Sequence, residues 1–176
     1  MKAGGDIGSD FTSATAYNTT KLEEACANLG VANVTGACNS FIATMRAMPA
    51  FFKTMSTFIS PGVGKSMQFM QQAIQVHDDA IVAFEKDRKL PRANFDHLKV
   101  IKDGLLIFNW WQFGDAEAVH DNLLSNYEGI FFAGNKILKK DLANDVAWFN
   151  AFKNLCETCY NFFVVRESNI FMWTGS

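Results

Sequence analysis

Apolar positions recur along this chain at alternating steps of three and four, the period of a helix that buries one face. The clearest stripes flank a polar corner. Upstream of it Met67, Met70, Ile74, His77, Ile81 and Phe84 line one side of a helix, and downstream Leu98, Ile101, Leu105, Phe108 and Trp111 do the same. Between them Glu85, Lys86, Asp87, Arg88, Lys89, Arg92, Asn94 and Asp96 crowd a short connector interrupted by Pro91. A corner this polar between two buried helices is either a solvated turn or a docking site.

Residues 1–16 are rich in Gly, Ser and Thr without periodicity, which predicts a flexible lead-in ahead of one helical domain over 17–176. The first helix is predicted from Tyr17, capped by Asn18 or Thr19 and ended near Gly30, with Leu22, Ala25, Cys26 and Leu29 inward. A second, after Asn33, uses Phe41, Met45, Met48, Phe52, Met55 and Ile59. Pro49 sits inside that stripe and lacks the N–H to continue the helical ladder, so a kink or break is predicted there. Ser60-Pro61-Gly62 then turns the chain into a third helix over 67–84. A fourth spans 95–113 and ends at Gly114-Asp115, with Asp115 placed to cap a fifth carrying Val119, Leu123, Tyr127, Ile130, Phe131 and Leu138. Asn144 or Asp145 opens the last helix, whose inner positions are Trp148, Phe149, Phe152, Leu155, Cys156, Cys159, Phe162 and Phe163. After Arg166 a polar break lets Ile170, Phe171 and Trp173 fold back. Period-two alternation is sustained nowhere. The pattern predicts an all-α protein, an antiparallel up-and-down bundle of about six helices.

Composition sharpens this picture only at its edges. With 176 residues, 49% hydrophobic and 17 of them Phe, the chain has material for one sizeable core. A formal charge of −2 argues against nucleic acid or an anionic membrane as partner. No apolar run reaches the roughly 18 residues of a membrane span, and the first residues lack a secretory apolar core. A cytoplasmic protein is expected. The four cysteines, Cys26, Cys38, Cys156 and Cys159, are too dispersed for a disulfide scaffold.

Each candidate for chemistry has a plainer explanation. Cys156-x-x-Cys159 would need two further ligands to hold zinc, or a helix start beside positive charge to act in redox; mid-helix among aromatics it reads as core. His77 occupies a core position, His120 lies near a helix start, and His97, just past the polar corner, is placed to reach solvent. Gly64-Lys65-Ser66 mimics the end of a phosphate loop, but Ile59 stands where its first glycine belongs. Asp78-Asp79 fits a solvated helix face. The dense aromatics Phe108, Trp110, Trp111 and Phe113 suit a central helix or an oligomer interface. No catalytic residue, metal or cofactor is expected.

Several segments together carry a resemblance. Phe84-Glu85-Lys86-Asp87-Arg88, then Phe95-Asp96-His97-Leu98, then Trp110-Trp111 resemble the F-x-E-K-N-R, F-N-H-L and G-W pieces of cyclase-associated proteins, in their N-terminal helical folded domain. The run from Phe131 through Asn135, Lys136 and Ile137 to Lys139 is similar to the family's F-Y-T-N-R-[VI]-L-K-E. Val146-Ala147-Trp148-Phe149 and Phe171-Met172-Trp173 are similar to its V-D-W-V and G-L-x-W. The departures are local: Lys136 replaces an arginine and loses its planar fork, and Arg88-Lys89-Leu90-Pro91 replaces Arg-Gly-Ser.

The resemblance implies a non-enzymatic domain that binds actin, above all cofilin-decorated actin at filament pointed ends, and promotes filament disassembly and monomer recycling. It implies a place on the actin cytoskeleton and the capacity to form a homodimer. Residues 1–16 lack the heptads through which the family engages adenylate cyclase, so cyclase binding is not carried over. The contact residues expected for actin and cofilin are Glu85, Lys86, Arg88, Lys89, Arg92, Asn94, His97, Asn135 and Lys136. A bundle unrelated to actin, self-associating through its aromatic faces or enclosing an apolar ligand, is the alternative.

Overall fold

Residues 7–57, 94–108 and 116–170 are described by the computed structural model, and five helices hold nearly all of them. These are α1 (Ile7–Leu29), α2 (Ala32–Thr57), α3 (Phe95–Leu105), α4 (Ala116–Lys139) and α5 (Ala143–Ile170). No strand occurs among the described residues. The predicted helix over 67–84, the polar corner over 85–93, the Trp110-Trp111 pair, the Asp115 cap and the terminal 171–176 segment lie outside them.

α1 starts ten residues before the sequence pattern predicts, so the lead-in is corrected for residues 7–16. The reason is a stripe in which threonines stand in for apolar residues. Phe11, Thr15, Thr19, Leu22 and Cys26 are all buried. The Thr15 hydroxyl donates to the Phe11 carbonyl at 2.9 Å and that of Thr19 to the Thr15 carbonyl at 2.7 Å. A buried hydroxyl satisfied within its own helix carries little penalty and lets threonine pack by its methyl group. Neither Asn18 nor Thr19 is a cap: the Asn18 amide crosses to the Thr158 hydroxyl of α5 at 2.8 Å.

At the end of α1 the pattern holds. Gly30 has φ 69°, and its N–H donates to the Cys26 carbonyl at 3.0 Å. This is the left-handed residue that commonly closes a helix, and glycine takes it without a Cβ clash. The chain re-enters a helix two residues later, which lays α2 beside α1. α2 runs through Pro49 unbroken, with Met48 and Phe52 buried on either side of it. The α4–α5 corner is built the same way on Asp141, at φ 51°, whose N–H reaches the Leu138 carbonyl at 3.1 Å. α5 then continues past Arg166, where a polar break was predicted, to Ile170.

α1 packs on α5 and α2, α3 on α4 and α2, and α4 on α5. α5 therefore meets neighbours on two sides, which explains why its eight predicted inner residues, Trp148 to Phe163, span a wide arc and are all buried. Phe11 gathers three rings, with centroids 5.6 Å from Phe52, 5.1 Å from Phe162 and 5.7 Å from Phe163. Phe41 of α2 bridges to Phe152 of α5 at 4.9 Å and to Phe108 at 5.3 Å. Such pairs contribute about 0.5–1.5 kcal/mol each beyond their buried area. No described helix is long and apolar enough to cross a membrane.

Candidate protein-docking face

Of the nine expected contact residues, Glu85, Lys86, Arg88, Lys89 and Arg92 lie outside the described residues. The other four fall on α3 and α4, which pack against each other. Asn94 stands at the N-cap of α3 and makes no side-chain capping bond, so its amide is not consumed by the helix. Asn135 and Lys136 are exposed on the last turns of α4.

His97 does not belong on this face. Its side chain is 2% exposed, so the expectation that it reaches solvent is corrected. The cause is its register on α3: His97, Ile101 and Leu105 share the inward stripe with Leu98, and all four are buried. Its Nε2 lies 2.8 Å from Asp145 Oδ1 at the start of α5, and its ring centroid lies 4.9 Å from that of Trp148. Nδ1 has no partner. The Asp145 contact sets a carboxylate against the buried ring, bringing the first turn of α3 to the first turn of α5. Burial holds the imidazole below its ordinary range, against the opposite pull of Asp145.

The structure adds residues that period alone did not mark. Phe132 is 70% exposed, and its ring lies under two ammonium groups, Lys99 Nζ of α3 at 5.4 Å and Lys136 Nζ of α4 at 5.6 Å. Both distances fall within the roughly 6 Å range of a cation–π contact. Phe95, one turn before Lys99, is 58% exposed. Among the described residues neither Lys99 nor Lys136 forms a salt bridge. A signal for Phe132 did exist. It is off the inward stripe of Val119, Leu123, Ile130 and Ile137, and a lysine follows it at the i+4 spacing.

Among the described residues the interior cysteines are buried. Cys156 and Cys159 are fully enclosed, and burial pushes both thiols well above their ordinary range, so neither supplies a thiolate. Cys26 and Cys38, set twelve residues apart in sequence, meet across the α1–α2 hairpin. A hydrogen bond from Cys38 lowers the Cys26 thiol, and that same bond together with burial raises Cys38. Both are buried and unbridged. Tyr127, half-buried beside Glu157, is pushed up to about 12, mainly by desolvation. Among the described residues no cluster of three His, Cys, Asp or Glu side chains could hold a metal.

No protein-family model matches the chain, and no characterised protein matches it by sequence. Solved structures do match by fold. The N-terminal domain of the adenylyl cyclase-associated protein (CAP) from Dictyostelium discoideum superposes with a TM-score of 0.77 at 15% identity. That match covers 96% of this chain and 94% of that one. A second CAP N-terminal domain, whose crystal structure indicates variable oligomerisation, gives 0.79 at 15% identity, covering 98% and 92%. The chain thus has the helical fold of the CAP N-terminal domain over nearly its whole length.

Proposed function

We propose that this chain is an actin-turnover module of the cyclase-associated protein kind. It binds actin and cofilin-decorated actin at filament pointed ends, promotes subunit release and monomer recycling, and does so by binding alone. The observation that carries this is the agreement of two independent lines: motif pieces in the family's order, and the fold of the CAP N-terminal domain over nearly the whole chain. Its place of action is the cytoplasmic actin cytoskeleton. Self-association fits the same proposal, since a neighbour of this fold oligomerises variably.

The docking surface in this proposal is the polar connector with Glu85, Lys86, Arg88, Lys89 and Arg92, which runs in sequence into Asn94, together with Asn135 and Lys136. A helical frame presents such groups with little ordering entropy left to lose. Charges there steer the encounter and set register, while a few anchors supply most of the energy. The test is pointed-end depolymerisation with and without cofilin. The wild-type chain is expected to accelerate it, and Lys86→Glu combined with Arg88→Glu to abolish the acceleration with helicity and melting unchanged. Full activity in that double variant removes the connector from the surface; an inactive wild type removes the function.

A further inference from the structure

The α3–α4 face holds an arrangement that folding does not explain. Phe132 keeps 70% of its surface in water although the bundle has an aromatic core. Two lysines from different helices converge on its ring. Holding a cation over an exposed ring orders both side chains without burying either. Their stems and the ring then form a preset surface with little rotamer freedom left to lose on contact.

We infer that the Phe132 ring, clasped by Lys99 and Lys136, anchors an acidic segment of a partner protein. That segment brings carboxylates to the two ammonium groups and an apolar side chain to the exposed ring. Charge complementarity selects this occupant. The chain as a whole carries a formal charge of −2, yet neither clasp lysine forms a salt bridge among the described residues. Asp103, half-buried on α3, lies within the electrostatic reach of Lys99 and Lys102. Aromatic side chains, phenylalanine among them, are enriched at the cores of protein interfaces.

Other occupants fit less well. Anionic membranes are read by clusters of about four to eight basic residues, more than this clasp supplies. Nucleic acid calls for a broad basic excess that the chain lacks. A two-fold contact between copies through this patch would set the same lysines against each other.

The inference deepens the actin reading by naming the anchor and the partner's chemistry, and only the first arm of its test rests on that reading. In that arm the wild type, Phe132→Ala, and the pair Lys99→Glu with Lys136→Glu are co-sedimented with cofilin-decorated actin filaments. Lys21→Glu on α1 serves as the control. Both clasp variants should bind about tenfold more weakly or worse, with the control within about twofold and melting unchanged, since Phe132 is largely exposed. Wild-type affinity in both clasp variants overturns the inference and leaves the actin reading standing. If the wild type ignores the filaments, the actin reading falls and a second arm decides the inference. There the isotope-labelled chain is titrated at low salt with an amphipathic Glu/Leu peptide and, separately, with phosphatidylserine vesicles. Peptide-induced shifts centred on Lys99, Phe132 and Lys136, lost in the charge-reversed variant, support it. Absence of those shifts, or binding to vesicles without binding to peptide, overturns it.

Discussion

His97 shows how a single side chain ties two helices and sets a pH dependence. The groups around it are Asp145 at the start of α5, Lys140 in the α4–α5 corner and Asp96 on its own helix. Desolvation outweighs the carboxylates, so the folded state holds the proton less readily than the unfolded chain. The unfolded imidazole titrates near pH 6.5. Above that both states are neutral at this ring and stability is full. As the pH falls below about 6.5 the unfolded chain gains protons first, and stability drops until the lower folded pKa is reached, by roughly 1.4 kcal/mol for each unit between the two values. Melting of the wild type and His97→Gln at pH 7.5 and 5.5 checks this: the wild type should lose more on acidification. Equal losses would show that the ring is not held neutral. The sequence reading marked His97 as solvent-facing because it follows a polar corner. Its true direction depends on the rotation of α3 against α5, which neighbours in sequence do not encode.

At the scale of the element, close approach between helices rests on two glycines. A Cβ built on Gly134 of α4 would run into the Phe149 ring of α5, and one on Gly104 of α3 would lie 2.7 Å from Phe152 Cζ. The last helix can seat Phe149 and Phe152 fully inside because α4 and α3 carry no side chain at those points. Gly134→Ala should therefore destabilise the chain by about 1–3 kcal/mol, the usual cost of overpacking, read as a lower urea midpoint. Adding Phe149→Leu should return part of that loss. Additive losses instead would place the defect elsewhere. The helices themselves were legible because a period of 3.6 records burial directly. Phe132 was legible only as a residue off the stripe. That it pairs with Lys99 depended on which turn of α3 lies against which turn of α4.

Across the whole molecule, α1 closes the bundle at the end where Phe11 gathers Phe52, Phe162 and Phe163. If residues 7–16 were a lead-in, losing Phe11 would cost little. With Phe11 1% exposed, Phe11→Ala should cost about 3–5 kcal/mol in a urea unfolding measurement. A midpoint within error of the wild type would detach this segment from the core. The error in the sequence reading has a physical source: Thr15 and Thr19 count as polar, yet each hides its hydroxyl in its own helix and packs as an apolar residue. By itself the sequence determined the helical class, the inner faces of α2 to α5, the Gly30 stop and the inert burial of Cys156 and Cys159, because local period and turn chemistry act within a few residues. Tertiary structure alone decided that His97 turns inward onto Asp145, that Cys26 meets Cys38, and that two lysines from separate helices converge on Phe132. Those outcomes depend on the rotation and offset of packed helices, which arise from the summed fit of many side chains far apart in the chain.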